Sequence, residues 1–182
     1  MFNKLSWHGP KITIRTTTLC ALLVAMQIIL NKIAIGDPAI LKISLGFIGT
    51  ALIGYLLGPW VGGTAMIIND IISNTIFNSG SVFFPGFTFS AFISGIIAGI
   101  FLYHQNITWQ RIFIYEFFQI LISNVFFTTL WVYLLSMTSP HHITLTALLA
   151  IRLPKEVISW PIESVVILII LKAFQRIKIN NH

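Results

Sequence analysis

The sequence predicts an all-α integral membrane protein, a bundle of six transmembrane helices with both termini in the cytoplasm. Three observations predict it. First, 56% of the 182 residues are hydrophobic and only 9% are charged, with a mean hydropathy of +0.88. A soluble domain carries about 25% charged residues, and one this short lies too near its own surface to bury so much apolar area. Second, the apolar residues fall in continuous runs, without the alternation of barrel strands. In lipid the backbone must satisfy its own hydrogen bonds, and such runs do so as helices. Third, the basic residues are distributed unevenly about the runs.

The whole chain, residues 1–182, reads as one transmembrane domain. A span needs roughly 20 mostly apolar residues. The first helix covers 12–35 and ends at Gly36-Asp37-Pro38, a turn sequence. The second, 43–57, is short and is closed by Gly58-Pro59. The third covers 60–77; one of this pair is alternatively re-entrant. Asn78-Ser79-Gly80-Ser81 and then Phe83-Phe84-Pro85-Gly86 form the next loop, because a residue before proline avoids helix. The fourth helix covers 87–103 and the fifth 108–137. Thr138-Ser139-Pro140-His141-His142 breaks the chain, and 143–151, too short to span, reads as a loop with a short helix. The sixth helix covers 154–174, with Pro154 suited to its first turn.

Six spans place Lys4, Lys11, Arg15, Arg111, Lys172, Arg176 and Lys178 on one side, and Lys32, Lys42, Arg152 and Lys155 on the other. The larger set marks the cytoplasmic face. The net charge of +6 forms no basic cluster or stripe, so no nucleic-acid partner is expected. The lone Cys20 cannot form an intrachain disulfide and reads as a packed thiol. The N-terminal residues lack an apolar core followed by a cleavage site, so the first run reads as a retained helix.

Ionisable residues inside spans are costly and need a reason. Asp70 and Asn74, four apart, share a helix face. They either read a flat ligand edge rich in donors or make a structural bond to a neighbouring helix. Glu116 falls toward the cytoplasmic half of the fifth helix and reads as structural pairing or partner docking. Glu163 shares a face with Glu156, and either can neutralise a nearby cation. Arg152-Leu153-Pro154-Lys155-Glu156 puts two cations at the outer mouth of the last helix. They either snorkel to the interface or clamp a carboxylate, which arginine binds bidentately. Phe84 and Phe87, in an aromatic loop stiffened by proline, and Trp131 either stack on a planar ligand or belong to an interfacial aromatic belt. Ala21 and Ala25, like Gly95 and Gly99, have the small-residue spacing of close helix packing, within the bundle or against another membrane protein. No GxxxxGK[ST] phosphate loop and no HExxH occurs, and no nucleophile stands with a base, so the chain reads as non-catalytic.

Four stretches together resemble the S components of energy-coupling factor (ECF) vitamin transporters, most closely the folate-specific type. They are Ala21-x-x-x-Ala25; Ser44-Leu45-Gly46-Phe47-Ile48 with Leu56-Leu57-Gly58-Pro59; Phe83-Phe84-Pro85-Gly86-Phe87-Thr88; and Arg152-Leu153-Pro154-Lys155-Glu156. The resemblance spans nearly the whole chain. It implies a six-helix binding subunit in a prokaryotic cell membrane, open to the outside. The implied partners are a membrane T component and two ABC-type ATPases, which supply the ATP hydrolysis. It implies folate as ligand and no cofactor. Asp70 and Asn74 then suit the amino-pyrimidine edge of the pterin. Phe84, Phe87 and Trp131 suit its faces, Arg152 and Lys155 its carboxylates, and Ala21 and Ala25 the docking surface. The family's fifth helix commonly shows Asn-Thr before Leu-Trp; here Thr128-Thr129 stands there, with Asn124 one turn earlier. The rival readings are a different vitamin on the same scaffold, a ligand-free structural membrane protein, and a secondary transporter. The last would show two related halves, and no internal repeat is evident.

Overall fold

A computed structural model describes residues 6–35, 43–77, 83–137 and 144–179. In chain order its helices are α1 (Ile14–Lys32), α2 (Gly46–Thr75), α3 (Pro85–Leu102), α4 (Trp109–Gln119), a π-helical segment (Ile120–Thr128), α5 (Thr129–Met137) and α6 (Leu145–Ile179). Two-residue strands, β1 (Ala34–Ile35) and β2 (Ile43–Ser44), pair antiparallel between α1 and α2. Five helical stretches are long and apolar enough to cross a bilayer: Ile14–Lys32, Gly46–Thr75, Pro85–Leu102, Trp109–Met137 and Leu145–Arg176. The breaks expected at 36–38, 78–81 and 138–142, together with Lys4 and Lys42, lie outside the described residues.

Local chemistry sets several of these ends. Thr13 caps α1, its hydroxyl accepting from Thr16 N at 3.3 Å. Pro85 opens α3, where its missing N–H costs nothing.

α2 is not one straight rod. Its 30 residues hold Gly58 at φ 69° and ψ −173°, a conformation essentially reserved for glycine, followed directly by Pro59. Ile53 and Gly62 would stand about 13 Å apart along a straight helix. Instead a Cβ placed on Gly62 would lie 3.5 Å from Ile53 Cγ2. The chain folds back at Gly58, which divides α2 into two limbs.

α3 packs into this elbow. A Cβ on Gly99 would overlap Pro59 N and the Gly58 carbonyl carbon, one on Gly95 would stand 2.6 Å from Gly62 O, and one on Gly54 would overlap Ala98. Small residues let these backbones touch. Around the elbow lies the apolar core, with Ile53, Leu57, Leu102, Ile112, Ile167 and Leu171 fully buried. The N-terminal segment straps this end: Ser6 Oγ donates to Tyr103 O (2.8 Å), Gln105 Nε2 to Ser6 Oγ (2.9 Å) and Trp60 Nε1 to Trp7 O (3.1 Å).

Two features depart from expectation. The fifth helix, expected as uniform over 108–137, carries the π-helical segment in its middle, and Thr128 Oγ1 donates to Ser123 O at 2.7 Å across it. α6 does not begin at Pro154. It runs unbroken from Leu145 through Pro154 and Pro161, so the apolar stretch ending at Ile151 is its first part and not a loop. A proline removes one ladder bond, and a membrane helix packed among neighbours tolerates that.

Candidate functional site

Opposite the elbow end, the helices part around a cavity of about 370 Å³, within the usual range for small-molecule sites. Each wall is a polar stripe on an otherwise apolar helix.

From α1 come Gln27 and Asn31, four apart and on one face. Gly46 and Gly49 give them room, since a Cβ on either would overlap Asn31 Oδ1 or Gln27 Oε1. Gln27 Nε2 donates to Thr50 Oγ1 at 3.1 Å, and Thr50 Oγ1 donates to Gly46 O at 3.2 Å. The second limb of α2 adds Asn69 and Asp70. The Asp70 carboxylate is tied on both oxygens: Oδ1 accepts from Asn74 Nδ2 at 3.0 Å and Oδ2 from Thr88 Oγ1 at 2.7 Å. It therefore joins α2 to the first turn of α3.

α4 and the π segment contribute Glu116, Gln119, Ser123 and Asn124. The wider π turn brings residues five apart onto one face, so Gln119 and Asn124 both reach the cavity. Gln119 Nε2 donates to Ser94 Oγ on α3. α6 supplies Lys155, Ser159 and Glu163 at i, i+4 and i+8, with Glu156 beside them. Asn124 Nδ2 donates to Glu156 Oε2 at 3.2 Å, and Glu116 and Glu163 line the same cavity from α4 and α6.

Of the ligand-binding residues expected from sequence, Asp70 and Lys155 line this cavity, and Asn74 joins it through Asp70; Glu116, Asn124, Glu156 and Glu163, also singled out, line it too. Phe84, Phe87 and Trp131 gather in a separate cluster at the start of α3. The Phe84 ring centroid is 6.0 Å from Phe87 and 5.6 Å from Trp131, and Trp131 stacks on Phe127 at 6.1 Å. Trp131 Nε1 donates to Ser90 Oγ at 2.7 Å. Arg152 is half-buried on α6, one turn before Glu156, and is not among the cavity residues. Ala21 and Ala25 are exposed along α1.

Glu116, read from sequence as structural pairing or partner docking, is buried in the cavity wall. Sequence reasoning assigned no role to Gln27, Asn69, Gln119 or Ser159. The signal was available for the amides: each interrupts an apolar run in the middle of a span, where a polar group needs a reason.

The family model described as "ECF transporter, substrate-specific component" matches residues 15–171. A relative described as "Folate transporter FolT", from Clostridium novyi (strain NT), is 29% identical over 161 residues, 88% of this chain and 90% of its own length. Another of that description, from Leuconostoc mesenteroides subsp. mesenteroides, is 30% identical over 159 residues, 87% of this chain and 85% of its own length. The solved structure titled "Crystal structure of FolT bound with folic acid" superposes with a TM-score of 0.73 at 30% identity, covering 85% of this chain and 91% of that one.

Proposed function

The chain belongs to the family of substrate-specific components of ECF transporters, and we propose that it is the subunit that captures folate for uptake. The observation that carries this reading is the cavity. Five chain segments line it with amides, carboxylates and hydroxyls, and a lysine stands on its α6 wall. Folate needs that mixture, because its pterin is a flat heterocycle rich in polar edge groups and its tail is an anionic glutamate. Similarity to a structure solved with folic acid supports the same ligand.

In this reading the two limbs of α2 count as two spans, which makes six and returns both termini to the cytoplasmic side. The fold-back at Gly58 supports that count. The cavity, at the end away from the elbow, then opens outward. Lys155, with Arg152 one turn earlier, takes the carboxylates. Asp70 keeps acceptor capacity beyond its two internal bonds, since a carboxylate offers about four lone-pair sites, and with Asn74 it faces the pterin. Phe84, Phe87 and Trp131 close over the ligand faces. The exposed Ala21–Ala25 face of α1 docks to a membrane T component, and two ABC-type ATPases complete the transporter and hydrolyse ATP.

The test is calorimetric titration of the purified chain in detergent with folate, using riboflavin and thiamine as controls. One saturable folate site, weakened in Lys155→Ala and Arg152→Ala, is expected. Folded protein that ignores folate and binds a control vitamin would overturn the folate assignment and leave the family and fold intact.

A further inference from the structure

A second cavity, of about 550 Å³, lies at the elbow end of the bundle. Five parts of the chain line it. Pro10 comes from the N-terminal strap, Arg15 from the first turn of α1, and Tyr55 and Leu56 from α2 just before the elbow. Tyr103 and His104 come from the end of α3, and Phe174 from α6. Bonds outside the cavity hold these walls: Ser6 Oγ donates to Tyr103 O at 2.8 Å, and Gln175 Nε2 donates to Gln105 O at 3.4 Å, tying α6 to the turn after α3. His104 takes φ 51°, the one positive value at a non-glycine residue among the described residues, and its ring lies edge-on to Tyr103 at 4.3 Å. Such a backbone persists only where its surroundings hold it, and it recurs at ligand sites.

The polar groups of this cavity are uncommitted. Arg15 and the hydroxyls of Tyr55 and Tyr103 make no hydrogen bond or ion pair among the described residues. The charge around them has one sign. All four acids among the described residues, Asp70, Glu116, Glu156 and Glu163, line the other cavity. The segments that meet at the elbow end carry Lys11, Arg15, Arg111, Lys172 and Arg176 instead. These cations form no run in the sequence; folding brings their segments to one end, where an anion meets no opposing carboxylate among the described residues. Trp7, Trp60 and Trp109 are exposed at the same end, and Trp60 Nε1 donates to Trp7 O at 3.1 Å. Exposed tryptophans sit at headgroup level in a bilayer, so the cavity lies at the depth of lipid headgroups.

We propose that this cavity binds the headgroup of an anionic phospholipid. Arg15 takes the phosphate diester, which a guanidinium binds bidentately. The Tyr55 and Tyr103 hydroxyls donate to the remaining oxygens, and Pro10, Leu56 and Phe174 cover the glycerol and the start of the acyl chains. The proposal goes beyond folate capture and rests only on the membrane reading. In the orientation proposed above the elbow end is cytoplasmic, and anionic lipids of that leaflet attract basic segments and fill basic pockets between helices. Free phosphate and small phosphate esters share the headgroup's chemistry; the apolar lining and the headgroup depth favour the lipid. A bound lipid touches the strap, α1, α2, α3 and α6 together, so it braces the elbow.

The test titrates phosphatidylglycerol and phosphatidylcholine of equal chain length into the full chain purified in detergent, with bound lipids counted by native mass spectrometry. Wild type is compared with Arg15→Gln, Tyr55→Phe and Lys172→Gln, each checked for a cooperative melt; Lys172 is exposed at the same end and outside the cavity. Wild type is expected to prefer phosphatidylglycerol. Its affinity falls at least about tenfold in Arg15→Gln, as for loss of a bond to a charged group, and about 2- to 12-fold in Tyr55→Phe, as for a neutral one. Lys172→Gln leaves it unchanged. Equal affinity for the two lipids, or an equal loss in Lys172→Gln and Arg15→Gln, reduces the effect to diffuse charge and overturns the site. Inorganic phosphate and glycerol phosphate, titrated by calorimetry, form the second arm: either one bound as tightly as the lipid, and released by Arg15→Gln, overturns the lipid as occupant. Where Arg15→Gln does not fold, Tyr55→Phe decides, and phosphatidylglycerol held as tightly as by wild type overturns the site.

Discussion

Replacing Gly58 with alanine tests the elbow that brings the two limbs of α2 to one cavity. At φ 69° and ψ −173° an L side chain costs about 1–3 kcal/mol in backbone strain alone. The new Cβ also meets Gly9 Cα and Tyr103 Cγ, both at 3.2 Å, so the N-terminal strap and the end of α3 must yield. For a chain of this size each kcal/mol shifts the melting temperature by about 2–4 °C, so Gly58→Ala lowers Tm by about 2–12 °C. Intrinsic tryptophan fluorescence during a thermal ramp in detergent reads this directly. Gly9→Ala is the matched control, because its Cβ would meet only Leu57 O at 3.7 Å, an ordinary contact. A Gly58→Ala melt within 1 °C or so of wild type, outside the range that the strain predicts, or an equal loss in Gly9→Ala, would refute the elbow.

Lys155→Ala weakens folate by about 10–150-fold, the loss of a charge-assisted hydrogen bond, and leaves pteroic acid, which lacks the glutamate, unchanged; paired calorimetric titrations check this. Trp131→Phe keeps the aromatic cluster but removes the 2.7 Å bond to Ser90, and its stability falls by about 0.5–1.5 kcal/mol in the same thermal assay. Ala25→Trp fills the exposed α1 face, leaving folate affinity of the isolated chain intact while abolishing its co-purification with the membrane partner.

Composition and run length fix a membrane helical protein because lipid permits few other solutions. The aromatic, basic and Asp70 candidates stand out in the sequence because each is a chemical exception in an apolar run. What sequence reading lost were relations across helices. Nothing local to Glu116 says that the π segment and α6 bring it beside Glu163, or that Gly46 and Gly49 clear space for Asn31 and Gln27. Lys155 was found but Ser159 was not, although they are one turn apart, since a serine in a membrane helix is unremarkable until its neighbours are known. Pro154 misled for a physical reason: a proline at a helix start and one inside a packed helix have the same local sequence.

The two prolines of α6 have a mechanical consequence. Each frees the carbonyl four residues before it, Ala150 for Pro154 and Val157 for Pro161, so the helix is a beam with two joints. Two of its side-chain ties to neighbouring helices fall on the short length between the joints: Asn124 Nδ2 to Glu156 Oε2 at 3.2 Å, and Trp160 Nε1 to Phe113 O at 3.0 Å. Its stiffness there is borrowed from the neighbours and not from its own ladder. Cutting either tie would loosen the length that bears Lys155, Glu156 and Ser159, and leave the outer parts of the beam as rigid as before.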